Sequence, residues 1–137
     1  MEKLTPGGML AVQIPLTQQA VFYKLLHELI QADKWEMLNE IHNFHNLTPN
    51  ATYDVLAGCS GEVAIWETVY YHVVPSHSAV IDWYKGSGLK PYLDALGENE
   101  KTEFLGELLE AVKGNIPIQG DGNVILKMPR LFFTAKK

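Results

Sequence analysis

Gly61 to Pro75 reads GEVAIWETVYYHVVP, the longest period-2 pattern in the chain. Val63, Ile65, Val69, Tyr71 and Val73 fall on one side of it, and Ala64, Trp66, Tyr70 and Val74 on the other. β-branched and aromatic residues in that alternation favour an extended strand. Both sides are largely apolar, so helices are expected over both faces, as in a layered α/β sheet. Glu67 and Thr68 interrupt the apolar run, which points one end of the strand toward a wet cleft.

On the C-terminal side, Pro75-Ser76 opens a helix with Ser76 as its cap, and Val80, Ile81 and Tyr84 form its apolar face. Gly86 and Gly88 end it, and Leu89 to Leu96 is a short helical piece. Glu98 to Val112 is the strongest helical pattern: acids crowd its first turns, where the helix dipole favours them. Phe104, Leu105, Leu108, Leu109 and Val112 are its buried stripe, and Gly114 closes it. A Gly120-Asp121-Gly122 turn then leads into a last strand over 123–135, bent or bulged at Pro129 because proline is tolerated at bulges and edges.

On the N-terminal side, Thr48-Pro49 reads as an N-cap with proline in the first helical position, and Gly58 as the C-cap. Residues 17–45 look helical, with Thr17 as cap, a weak break at Ala32-Asp33, and a second segment carrying Trp35, Leu38 and Ile41. His42 and His45 sit three apart at its end. A metal there needs a third ligand, such as His27, His72 or His77; the plainer reading is imidazoles near a helix C-terminus. Met9 to Ile14 is an apolar run entered through the Pro6-Gly7-Gly8 turn and stopped at Pro15, read as a buried strand.

With 137 residues and 47% hydrophobic composition, the chain is expected to be a single domain with a real core. Its net charge of -5 speaks against a nucleic-acid partner and leaves any anion site to a local basic pocket. A single cysteine, Cys59, forms no internal disulfide, and it is read as a buried, inert thiol. Neither a secretory leader nor an apolar run of spanning length is visible, so no membrane partner is expected and the chain reads as cytoplasmic. Asn46-Leu47-Thr48 and Asn50-Ala51-Thr52 match the glycosylation triplet, which means nothing without secretion.

Three blocks carry a family resemblance: LTPGGMLAVQIP at 4–15, YYHVVPSHSAVIDWYKGSGLKPYLDAL at 70–96 and ILKMPRLFFTAKK at 125–137. The first resembles the turn before the fifth strand of class I S-adenosylmethionine-dependent methyltransferases. The other two resemble the C-terminal half of the trans-aconitate 2-methyltransferase family. The likeness is weakest over 16–47. It implies an α/β fold with a small three-stranded mixed sheet, strands about 9–14, 61–74 and 123–135, in the order first, third, second. That is a partial Rossmann-like fold covering a substrate.

The family's glycine-rich cofactor turn belongs to its first strands, and this sequence has none. Gly7-Gly8 and Gly120-Asp121-Gly122 both lead into strands, not onto a helix N-terminus. The resemblance therefore implies a substrate-covering portion that does not bind S-adenosylmethionine alone. Methyl transfer to a carboxylate needs no strong base, only in-line orientation, exclusion of water and donors for the acid. Arg130, the only arginine, suits bidentate carboxylate binding. The resemblance places Tyr70, Tyr71, His72 and His77 beside the cleft as donors, with Trp66, Trp83 and Tyr92 as walls. Against this, Tyr71, Trp66 and Trp83 also read as packing residues, His77 as solvent-facing, and Arg130 as the partner of a surface acid.

The first strand would lack the neighbour it has in the whole family fold, and an apolar unpaired strand invites association. A homodimer through Met9 to Ile14 is expected, or else a separate S-adenosylmethionine-binding chain, with a small carboxylic acid as the possible ligand. The rival reading is a non-enzymatic, dimeric module that binds small acids.

Overall fold

A computed structural model describes residues 1–41 and 46–137. The chain divides into two compact units: Met1–Thr17 with His45–Tyr70 and Met128–Lys137, and Gln18–Phe44 with Tyr71–Lys127. Three strands, β1 (Met9–Pro15), β2 (Glu62–Val74) and β3 (Val124–Lys136), form one sheet in the order β1-β3-β2. The α/β class, the three strands and their order stand as the resemblance implies. The sheet is antiparallel where a mixed one was expected.

In the first unit, β1 pairs with β3 from Met9↔Lys136 to Pro15↔Arg130. Lys137 N–H donates to Gly8 O at 2.9 Å and Leu16 N–H to Pro129 O at 3.0 Å, which fixes which residues exchange bonds. Even-numbered residues of β1 therefore bond toward β3, and Met9, Ala11 and Gln13 direct their amides outward. Pro15, also outward, has no amide to leave unpaired. The same phase explains Pro129. In a bonded antiparallel pair the residues exchange two bonds, but proline returns none, so Leu16 donates without receiving. The loss falls just past the end of β1; β3 runs on through Pro129 as one strand, and its buried residues pass from even numbers (Val124, Leu126) to odd ones (Pro129, Leu131, Ala135) there, the change of phase that a bulge makes.

The expected cover over both faces of the long strand is missing. Along β2, Trp66, Tyr70, Tyr71 and Val73 are exposed, and Val74 alone is buried. No residue of β1 is buried either, so the reading of Met9–Ile14 as a buried strand is corrected to a half-exposed edge. Trp66 stacks on Phe132, with centroids 5.4 Å apart and planes 12° off parallel. α2 (Pro49–Ala57) is capped as expected: Ala51 N–H donates to Thr48 Oγ1 at 3.2 Å, with Pro49 at the first position. Gly58 follows it with an ordinary right-handed φ of -67°. Cys59 is exposed rather than buried, its thiol near Leu56 O at 3.3 Å.

The second unit is mostly helical: α1 (Val21–Ile30), α3 (His77–Lys85), α4 (Lys90–Asp94) and α5 (Glu98–Asn115). α1 and α3 both pack on α5, whose Phe104, Leu108 and Val112 are fully buried, while Leu105 and Leu109 are half-buried flanks. Phe22 of α1 stacks on Tyr84 of α3 at 3.7 Å. The helix expected over 17–45 is shorter: Thr17 lies in a 3-10 turn, α1 starts after Ala20, and a 3-10 segment spans Asp33–Leu38. Trp35 and Leu38 are buried in that segment as its pattern implied. His42 and His45 lie outside the described residues. The Ser76 cap is present, with Ala79 N–H on Ser76 Oγ at 3.1 Å. At α5 the Glu100 carboxylate accepts the Gly97 N–H at 2.8 Å.

Candidate functional site

The strand phase separates the tyrosine-tyrosine-histidine run. Tyr71 is 64% exposed, while His72, one residue on, lies on the opposite face and is half-buried. His72 meets Trp83 of α3, ring centroids 5.1 Å apart and tilted by 42°. These two predicted residues are brought together. Trp83 keeps 48% of its surface open, so the pair offers an aromatic wall with an imidazole edge.

His77 is placed differently from both readings of it. It is 8% exposed, at the first position of α3, and its Nε2 lies 2.7 Å from Ile116 O. A carbonyl oxygen only accepts, so Nε2 carries the hydrogen and that nitrogen is committed. His77 is therefore a buried tie within the helical unit. Tyr92 is buried in the same unit.

Arg130 and Tyr70 belong to the first unit. Arg130 is half-buried, next to Leu131 in β3, and makes no ion pair among the described residues. The alternative of a surface-acid partner is thus not met there. A half-buried, unpaired guanidinium is a ready carboxylate clamp, since its planar fork matches two carboxylate oxygens. Tyr70, on β2, is exposed.

The helical unit's charged cluster lies elsewhere. Lys34 Nζ pairs with both Glu103 and Glu107, and the Trp35 indole N–H donates to Glu107 Oε2 at 2.8 Å. The Lys34 bond first, then that of Trp35, holds the Glu107 carboxyl below its usual range, and Glu103 and Glu107 raise Lys34. Sequence patterning alone does not pair residues this far apart.

The glycine turns do not furnish a nucleoside cradle. Gly7, at φ +76°, donates its N–H to Lys137 O and leads into β1. Gly122, at φ +87°, closes a turn between the bridged Ile118 and Val124. Neither turn opens a helix, so neither sets backbone amides of a helix N-terminus toward a ligand. Among the described residues no three His, Cys, Asp or Glu gather to hold a metal ion, and no helix is long and apolar enough to cross a membrane.

Comparison with curated proteins gives relatives described as trans-aconitate 2-methyltransferases. The chain is 38% identical over 135 residues to a trans-aconitate 2-methyltransferase of Escherichia coli O157:H7, matching 98% of this chain and 52% of that protein. The counterpart from Klebsiella pneumoniae (strain 342) is equally similar, at 38% over 135 residues. That of Sinorhizobium fredii (strain NBRC 101917 / NGR234) is 34% identical over 140 residues, all of this chain and 54% of that protein. The chain spans about half the length of the curated relatives it matches. No family model matches it.

Proposed function

We propose, on the premise that this chain is homologous along its whole length to about half of the trans-aconitate 2-methyltransferases, that it is the C-terminal, substrate-covering portion of such an enzyme. Those relatives imply methyl-ester formation on a small polycarboxylate, with S-adenosylmethionine as methyl donor. In this reading residues 1–137 are inactive by themselves and act beside a cofactor-binding portion. The observation that carries the proposal is the match of 98% of this chain to 52% of a relative. The task left to this chain is to hold the acid and exclude water. In the first unit Arg130 would clamp a carboxylate; in the second, and separately, His72 with Trp83 would offer a donor and a wall. His77 supports the site only by fixing α3. One exposed cysteine favours a reducing, cytoplasmic setting.

A second reading has its own support. The outward amides of Met9, Ala11 and Gln13 leave β1 with an open pairing edge, which favours a homodimer through that strand. The chain would then be a dimeric module that binds small acids without catalysis.

Calorimetric titration of the purified chain tests both. The first reading expects no heat with S-adenosylmethionine and saturable binding of trans-aconitate. Tight S-adenosylmethionine binding by this chain alone would overturn the split between cofactor and acid. Absence of any acid binding would leave neither reading standing.

A further inference from the structure

The outer edge of β1 is open over a short stretch that is closed off at both ends. Met9, Ala11 and Gln13 turn both N–H and C=O away from β3, because the even-numbered residues of β1 make the bonds to it. Pro15 is next in that outward phase; it has no N–H, and its carbonyl already accepts from Asn46 Nδ2. Gly7 is next at the other end, and its N–H is already donated to Lys137 O at 3.0 Å. No residue from Gly7 to Pro15 is charged. Natural edge strands are kept apart by charges, prolines or bulges, and β1 has only the proline at its end.

We propose that this edge pairs antiparallel with the same edge of a second copy in one register, with a two-fold axis at Ala11 and Met9 opposite Gln13 of the second copy. The proposal rests on the strand-mediated homodimer named above and fixes its geometry. In that register every outward N–H of Met9, Ala11 and Gln13 meets an outward C=O. The next pair sets Pro15 opposite Gly7, and neither has an N–H to spare, so the match ends where the free groups end. A shift in either direction spoils it. With Met9 opposite Ala11, Gln13 falls opposite Gly7, whose N–H is spent on Lys137 and leaves the Gln13 carbonyl unpaired. With Ala11 opposite Gln13, Met9 falls opposite Pro15, which returns no N–H and whose carbonyl Asn46 holds. The side chains agree with the central register. Leu10 and Val12, half-buried on the other face of the strand, come opposite one another across the axis as an apolar pair. Two three-stranded sheets then run on as one.

Sedimentation, amide exchange and cross-linking together test it. The unaltered chain should sediment as a dimer at micromolar concentration, and its Met9, Ala11 and Gln13 amides should exchange about tenfold slower or more as concentration rises. A Cys59→Ser background removes the exposed native thiol. In it, Ala11→Cys should link two chains on mild oxidation, because the paired Cα atoms at the axis stand about 5.5 Å apart. Leu10→Cys and Val12→Cys should not link, since each is offset along the strand from its own counterpart by more than the roughly 7 Å that a disulfide spans. A folded monomer would overturn the homodimer and this proposal together. A dimer that links through position 10 or 12, or through none of the three, would overturn the register and leave the homodimer standing. A dimer in which the Met9, Ala11 and Gln13 amides exchange as freely as in the monomer would overturn the strand pairing and put the contact elsewhere.

Discussion

His77 Nε2 lies 2.7 Å from Ile116 O, tying the first residue of α3 to the residue that closes α5. Replacing His77 should therefore cost stability before it costs affinity for an acid. His77→Ala leaves the Ile116 carbonyl without its buried donor, a loss of about 1–2 kcal/mol. Urea unfolding should show that loss, and His77→Gln should recover part of it because its amide also donates. A His77→Ala chain as stable as the original but weak for trans-aconitate would return this imidazole to the binding site.

Gly88 is a glycine for reasons of space. A Cβ there would collide with Tyr23 Oη and stand 2.9 Å from Cζ, and Tyr23 is held edge-on to both Phe22 and Tyr84. Gly88→Ala should destabilise by about 1–3 kcal/mol, the usual range for overpacking. In a Tyr23→Ala background the same change should cost little. Thermal melts of the four chains give the coupling directly.

The Lys34–Glu107–Trp35 cluster predicts a pH response. Glu107 is held below its usual range, so its contribution to stability is present above the unfolded carboxyl value and is lost as pH falls through the lower folded one. Lys34 is raised, so the same pair also weakens as pH climbs through its folded value, above the usual lysine range. Melting temperature should fall on the acid side of about pH 4, near the ordinary glutamate range. Glu107→Gln, which still accepts from Trp35 but carries no charge, should flatten that limb. An identical acid limb in Glu107→Gln would assign it to other carboxyls.

If Arg130 clamps the acid, Arg130→Ala should weaken trans-aconitate binding about tenfold or more, in line with losing hydrogen bonds to a charged group. Arg130→Lys should fall between, since an ammonium offers a point charge in place of a planar fork. Calorimetry showing equal affinity for all three chains would remove Arg130 from the site.

The β1 edge offers a test of assembly. Ala11→Pro deletes an outward amide and touches no bond to β3, so the fold should persist while a β1-mediated dimer dissociates. Sedimentation of the two chains at micromolar concentration reads this. A folded monomer before the substitution would end the dimer reading.

What could be read in the residues beforehand was local. Thr48 and Ser76 announce their helices because a cap depends on neighbours three residues away. The resemblance carried the strand order, which no periodicity contains. Where the missing amide of Pro129 falls relative to the end of β1 was not legible, because that register is set across the sheet. His77 and Ile116 are 39 residues apart, so nothing in the local pattern distinguishes a buried tie from a substrate donor. The alternation of β2 showed an extended chain but could not show that Tyr71 and Val73 would stay exposed. Cover is a property of the other elements.

Gly7 N–H reaches Lys137 O, Lys137 N–H reaches Gly8 O, and the Lys137 ammonium sits on Leu4 O. Residues 4–8 and Lys137 are thereby stitched side by side. A short Gly/Ser bridge could close them into a loop, and a circular permutant could be opened instead at the Gln119–Gly122 turn with each strand pairing kept.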